Sequence, residues 1–459
     1  MRSTSSSRLA RNRQLVEEKI ASTLGKIENL NTELHGLYEL LNASSLVSLI
    51  PLEILTKIFL FATESEFSKK LPMPLVIGRV CRAWRKAAWD TPPVWKDLRI
   101  NFRPSLCGAT SSQQVMIKEW VQRSGNQPLN LVLRCHYPRQ PKGEFCVLDV
   151  FQPLLDVSHR WRRFQVEGWG GGFYRLQKKL QETQHHFTLL SKITMFAAPP
   201  EGLPKYGWDF RSAPLLNVTI NFAPFDYQLA WNEVISFVGC FNLEASLFVL
   251  KEASKSLQTC SFNLESQGRT EPLALEGVNL LPNLKTLLIG LQNDDNTWVD
   301  LIPFFQRLEV PALTSLHLAL DSADFGYLLP SFKDLAHRSK FSLKILTLEL
   351  PTGVSEKALV KLLATLPTLT MFTLKSDKNQ RLLSNLTIAM LDPTSGRPIT
   401  PESKTTRLYR MYLLQPRQAD HHGQKSAQIC GSQAHLQYRY QILQQALGTG
   451  RPQRNEGIL

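Results

Sequence analysis

The sequence predicts an α/β chain: an N-terminal helix, a small all-helical module, and then an irregular solenoid of parallel strands with returning helices. Three observations carry this expectation. Apolar residues recur every seven positions near the N-terminus, two unusually apolar helical segments lie between residues 46 and 100, and an L-x-x-L-x-L pattern recurs further on. The implied organisation is a flexible start over 1–14, an amphipathic or coiled-coil helix over 15–42, and the helical module over 46–100. The solenoid occupies 101–375, and an irregular, largely disordered tail covers 376–459.

The start, MRSTSSSRLARNRQ, is basic and Ser-rich and lacks the apolar segment of a secretory signal. Glu17 and Glu18 come at once, which argues against a mitochondrial transit peptide. In the helix, Ile20, Ile27, Leu34 and Leu41 fall seven apart, with Val16, Leu30 and Leu37 on the alternate positions and Thr23 interrupting. The seam is narrow and, at about three and a half heptads, short for a coiled coil. It leaves two outcomes open, a homodimer through residues 15–42 or a helix folded back on the module.

In the module, Pro51 fits the first helical position, where its missing N–H costs nothing. Behind it Leu52, Ile54, Leu55, Ile58, Phe59 and Phe61 make a short helix that is apolar on more than one side, leaving a narrow polar strip of Glu53, Thr56 and Lys57. Such a helix must be covered twice, by its own domain and by something else. Leu71–Pro74 (LPMP) breaks the helical pattern. A second helix is expected from about Leu75 through Val80, Cys81 and Trp84 to Ala88, with a basic side of Arg79, Arg82, Arg85 and Lys86. About fifty residues cannot bury a large core alone. The plain reading is the edge of a larger helical domain.

The sharper reading rests on a resemblance. The Pro51-Leu52-Glu53-Ile54-Leu55 opening, the Ile58-Phe59 pair and the Val80-Cys81-Arg82-Ala83-Trp84-Arg85 run resemble an F-box. The closing Thr91-Pro92-Pro93-Val94-Trp95 is similar to the "TP-x-LW" ending of the large fungal F-box-like families. The pattern from Trp120 to Leu131, W-V-x-R-S-G-x-x-P-L-x-L, is similar to the segment C-terminal to the F-box in such proteins.

Beyond the module the period changes. Val115–Cys135 reads as a helix, a Gly-Asn turn and an alternating strand with Leu129, Leu131 and Leu133. The L-x-x-L-x-L template then matches Leu284/Leu287/Ile289, Leu313/Leu316/Leu318, Leu343/Leu346/Leu348 and Leu369/Phe372/Leu374. Weaker matches are Trp161/Phe164/Val166, Leu190/Ile193/Met195, Leu215/Val218/Ile220 and Leu257/Cys260/Phe262, and Leu229–Gly239 fits one further divergent repeat. A core recurring at this spacing is the signature of a leucine-rich-repeat solenoid. Ser355–Pro367 reads as a returning helix capped by Ser355, with Leu359, Leu362, Leu363 and Leu366 inward. The asparagine usual after the strand is replaced by Gln292, Asp321, Pro351 and Asp377, so an irregular, leucine-rich-repeat-like solenoid is expected. The segment from Pro401 onwards is rich in Gln and basic residues, a composition that favours disorder.

With 43% hydrophobic and 20% charged residues the chain has globular composition, and no run of apolar residues is long enough to span a membrane. The seven cysteines form no C-x-x-C pair, which indicates neither a disulfide framework nor a zinc site and fits a reducing cytoplasmic or nuclear setting. The net charge of +14 is spread along the chain without a focusing nucleic-acid motif, which favours a solvated basic surface. No phosphate loop or nucleophile elbow occurs. Gly170-Gly171-Gly172 reads as a turn, Asp294-Asp295 as a polar loop, and the adjacent pairs His185-His186 and His421-His422 diverge too far to share a metal. Neither catalysis, a metal nor a cofactor is expected.

The resemblance implies a non-catalytic subunit of a ubiquitin ligase. Its F-box would dock on a Skp-type adaptor, and through it a cullin, while the repeats bind a protein target. Carried over by motif position, adaptor contact falls on Pro51, Leu52, Ile54, Leu55, Ile58, Val80 and Trp84, with Trp95 wedging the module against the start of the solenoid. Target contact is expected on the strand face, at Lys285, Thr314, Ser315, His317, Lys344 and Thr347. The rival readings are a ligase-independent scaffold and a basic nucleic-acid-associated protein.

Overall fold

The computed structural model describes residues 3 to 375 except 46–48, 65–71, 103–108, 136–147, 170–172, 184, 199–206, 222–223, 225–226, 265–276, 292–297, 321–324 and 350–355. The tail over 376–459, Gly170–Gly172, Asp294-Asp295, Ser355, His421-His422 and the four positions that replace the repeat asparagine lie outside the described residues.

Helix α1 spans Ser3–Ala43, so residues 3–14, expected to be flexible, are helical. No Gly or Pro interrupts them, and Arg13 pairs with Glu17 at 2.8 Å one turn on, an arrangement that supports the helix locally. The module holds α2 (Leu52–Glu64), α3 (Met73–Ile77) and α4 (Arg82–Trp89). The single second helix expected from Leu75 to Ala88 is therefore two. Gly78 closes α3, and Cys81, extended, opens α4 by accepting the Trp84 amide on its Sγ at 3.5 Å. Pro51 stands one position outside α2, and its carbonyl accepts the Ile54 and Leu55 amides at 3.0 Å.

The chain then continues through β1 (Asp97–Phe102), α5 (Ala109–Arg123), β2 (Leu129–Cys135), α6 (Leu148–Leu155), β3 (Trp161–Trp169), α7 (Tyr174–Glu182) and β4 (Lys192–Ala198). Next come β5 (Trp208–Phe210), β6 (Asn217–Ile220), β7 (Tyr227–Leu229), β8 (Ser236–Phe241), α8 (Leu243–Glu252) and β9 (Thr259–Leu264). The last described stretch holds β10 (Asn279–Leu280), β11 (Thr286–Leu291), α9 (Trp298–Gln306), β12 (Leu308–Glu309), β13 (Ser315–Ala319), α10 (Phe325–Ser339), β14 (Ile345–Glu349), α11 (Glu356–Leu363) and β15 (Met371–Lys375).

Eleven strands form one parallel sheet in the order β1-β2-β3-β4-β6-β8-β9-β11-β13-β14-β15, so the strands of this sheet pair in the order in which the chain supplies them. The remaining four make two short parallel pairs, β5 with β7 and β10 with β12. Every template residue points inward: Leu284, Leu287, Leu313, Leu316, Leu343 and Leu346 are fully buried, and the weaker matches are buried as well. The long gap between Leu215 and Leu257 contains β8, whose Phe237 is buried and which pairs with β6 and β9. β1, at the end of the expected module bounds of 46–100, already belongs to the sheet.

Two devices hold successive strands in register. One carbonyl per repeat accepts two consecutive amides of the next: Lys285 O takes Thr314 N and Ser315 N at 2.9 and 3.0 Å, and Thr314 O takes Lys344 N and Ile345 N at 2.8 and 3.0 Å. The same pattern starts at Ser191 and reaches Lys344. The second device is arginine capping of helix ends. Arg338 donates from Nε to Leu308 O at 3.0 Å and from Nη2 to Phe305 O at 2.7 Å, occupying a carbonyl in the last turn of α9 and one just beyond it, in β12. Arg160 reaches the turn after α5, donating from Nε to the Gln127 carbonyl at 3.1 Å and from Nη2 to the Ser124 hydroxyl at 2.7 Å. Burial lowers the Arg160 pKa from its ordinary value.

Replacing Arg338 with Met leaves carbonyl oxygens without partners in a part-buried setting. The expected loss of stability in urea titration is about 2 kcal/mol, against less than about 0.5 kcal/mol for Arg162→Met, whose side chain is exposed.

Candidate protein-binding surfaces

The two-sided apolar character of α2 resolves into two stripes. Leu55 and Phe59 turn inward, Phe59 being 1% exposed and edge-on to Trp84 with ring centroids 5.2 Å apart. Ile54, Ile58 and Phe61 recur at the spacing that lines one helix face and stay open to solvent, Phe61 at 72% exposure. Leu52 at the start of the helix and Val80 beyond α3 are more than half exposed, and Val76 is exposed as well. The expected adaptor-contact set therefore divides. Pro51, Leu52, Ile54, Ile58 and Val80 are on the surface. Leu55 is buried and Trp84 is half-buried against Phe59, so these two fill the module's own core. Phe61 and Val76, absent from that set, belong with the exposed group. The i, i+4, i+7 spacing of Ile54, Ile58 and Phe61 carried the signal.

Trp95 joins the module to the sheet. It is fully buried in the short turn Pro92–Trp95, donates from Nε1 to Ala88 O at 2.7 Å, and accepts on its own carbonyl from Trp120 Nε1 at 2.7 Å. The two indoles meet edge-on with centroids 4.8 Å apart. Arg123 lies over Trp95 and over Trp89, its Cζ 4.9 and 4.2 Å from the ring centroids, a cation–π arrangement that binds α4 to α5. The module is thus bolted to the first repeat.

The sheet face turned away from the core is the second surface. Ser315, His317 and Thr347 stand on it, and His317 is directly opposite Thr347 in the β13–β14 register. His317 Nε2 lies 3.2 Å from Glu349 Oε1. Lys285 and Lys344 are exposed and Thr314 is half-buried. They precede their strands, in the amide–carbonyl ladder, and the Thr314 hydroxyl donates to Lys285 O at 3.1 Å.

The face changes character along its length. Over β1–β3 it carries charge: Asn130 donates to Asp97 at 2.6 Å and Arg134 pairs with Glu167 at 2.6 Å. Over β8–β13 it carries no Asp, Glu, Lys or Arg, with Ser236, Thr259, Thr286 and Ser315 in one cross-sheet row and Val238, Ser261, Leu288 and His317 in the next.

His185 Nδ1 lies 3.3 Å from Ser158 Oγ, and burial lowers the His185 pKa from its ordinary value. Ser158 itself is buried. Among the described residues no three of His, Cys, Asp and Glu are grouped so as to hold a metal ion, and no helix is long and apolar enough to cross a membrane.

Comparison of the sequence with the models of known protein families finds no match, and comparison with curated proteins finds none either.

The Trp95 joint yields a graded outcome in chemical denaturation. Trp95→Phe, which loses the Ala88 bond but keeps a ring, is expected to cost about 1–2 kcal/mol. Trp95→Ala, which also opens a cavity between module and sheet, is expected to cost about 3–5 kcal/mol.

Proposed function

We propose that the chain is the substrate-recognition subunit of a Skp–cullin–F-box ubiquitin ligase. On this reading residues 46–100 are an F-box, and the sequential parallel strands are those of an irregular leucine-rich-repeat-like solenoid that carries a protein target. The observation that supports it most is the exposed stripe of α2. Leu52, Ile54, Ile58 and Phe61 stay in water although the chain has ample core elsewhere to cover them. Burying these side chains and Val80 against an adaptor helix would release on the order of 5 kcal/mol before association costs. That gain is what the motif resemblance leads one to expect of an F-box.

No chemistry is assigned to the chain itself. Its contribution is proximity: a target held on the sheet face raises the local concentration of its lysines near a ubiquitin-charged enzyme. The rows over β8–β13, without Asp, Glu, Lys or Arg, suit a neutral, polar segment of target, and the charged end over β1–β3 suits a flanking segment bearing mixed charge. The reading fits a cytoplasmic or nuclear protein.

The test is capture of the purified chain by a Skp-type adaptor, beside a Leu52→Asp/Ile54→Asp double variant. Both side chains are exposed, so the variant is expected to keep its circular dichroism and unfolding midpoint while losing adaptor binding by about a hundredfold or more. An adaptor that ignores the folded wild type removes the F-box assignment. An adaptor that binds without bringing a cullin makes the chain a scaffold between two proteins.

A further inference from the structure

The seam along α1 is covered by nothing in the described chain. Val16, Ile20, Ile27, Leu30, Leu34, Leu37 and Leu41 are each between 44% and 66% exposed. The ion pair of Arg82 Nε with Glu39 Oε1, at 2.5 Å, ties the helix to the module near its C-terminal end and leaves the seam free. An isolated helix with one apolar stripe is marginal in water and gains most of its stability from a partner for that stripe.

We infer that the partner is a second copy of this chain, running antiparallel. Seven such half-exposed side chains from each copy would bury on the order of 1,000 Å² together, the range of a stable dimer. The seam residues alone do not fix direction, because Ile20 and Ile27 at one set of positions with Leu30 and Leu37 at the other also suit a parallel pair. The flanking charges decide. With Ile27 set against Leu30 of the second copy, the layers become Ile20–Leu37, Thr23–Leu34 and Val16–Leu41, and Lys26 faces Glu33 of the second copy twice over by symmetry. In the parallel register Lys26 meets Asn31 and Glu33 meets Tyr38, and neither charge finds its opposite. Thr23 agrees with the antiparallel choice. Its hydroxyl is already bonded to Lys19 O at 2.8 Å, and antiparallel packing sets its methyl against Leu34 instead of a second Thr23.

The geometry has a consequence for the assembly. The two copies of Ala43 would stand about 40 Å apart along the shared axis, which puts the two helical modules toward opposite ends of the pair.

Light scattering and sedimentation equilibrium of the full chain test the inference, and neither needs the adaptor, so the result stands apart from the ligase reading. Lys26→Glu and Glu33→Lys are each expected to weaken self-association about tenfold, and the double swap is expected to restore it. Orientation is read by mixing Ile20→Cys and Leu37→Cys chains under oxidation and mapping the linked peptides. A 20–37 link is expected, and a 20–20 link overturns the antiparallel register. Gly25→Ala/Gly36→Ala guards against a dimer too weak to detect, since added methyl groups there meet no atom within 4 Å and strengthen the helix. If that variant sediments as a monomer at its highest soluble concentration, the inference is wrong.

Discussion

A parallel strand cannot satisfy its own backbone, and that constraint organises the described residues between Asp97 and Lys375. Each inner strand of the main sheet needs a neighbour on both sides, and the chain supplies it in sequence order, one strand for every turn of a strand–return unit. The doubly accepting carbonyls from Ser191 to Lys344 extend this dependence to the strand entrances, where otherwise two amides per repeat would be left in the turn without partners. Stability is therefore shared between neighbours. A lesion in one repeat is felt by the two beside it.

Such an array must be stopped at each end, and the N-terminal stop is the helical module. β1 is the edge strand, paired on one side with β2, and the chain leading into it passes through the buried turn at Trp95. The two indoles, the paired bonds of Trp95 to Ala88 and Trp120, and the Arg123 guanidinium over both Trp89 and Trp95 make this junction a small core of its own. A rigid junction matters to any protein that holds one partner on the module and another on the sheet, because a loose one would let the two wander relative to each other and weaken the gain from proximity.

The inward residues of the sheet were legible because a buried strand with one solvated face leaves alternating apolar positions in sequence. Leu284, Leu313, Leu343 and Leu369 announce their strands. What escaped the pattern had a physical cause in each case. β8, legible only as a divergent repeat over Leu229–Gly239, is short of leucine and packs through Phe237 and Phe241, with Gly239 between two rings that would crowd any Cβ. The break between α3 and α4 depends on a Gly cap and a cysteine sulfur acting as an N-cap acceptor, a weak acceptor that composition does not advertise. Lys285, Thr314 and Lys344 read as surface positions in sequence, and Lys285 and Lys344 are exposed; that their backbones also form the ladder is what only the register reveals.

The allocation of α2's apolar residues shows where sequence reasoning stops and why. The apolar residues of this 13-residue helix state that two surfaces are to be covered, but the helix can be turned about its axis without changing that statement. Which stripe faces home is set by the tertiary partner, here Trp84 from α4, whose ring edge selects Phe59 and with it Leu55. Once that contact is fixed, Ile54, Ile58 and Phe61 have no inward option, since residues four and seven apart must share a face and this face is the one left over. The same logic governs α1, where the Arg82–Glu39 pair holds the helix from outside the seam and the seam residues stay exposed. The two exposed apolar stripes differ in kind, however. That of α2 is short, belongs to a rigid module and suits a partner with its own helical groove, whereas the seam of α1 is long, periodic and self-complementary in charge when reversed.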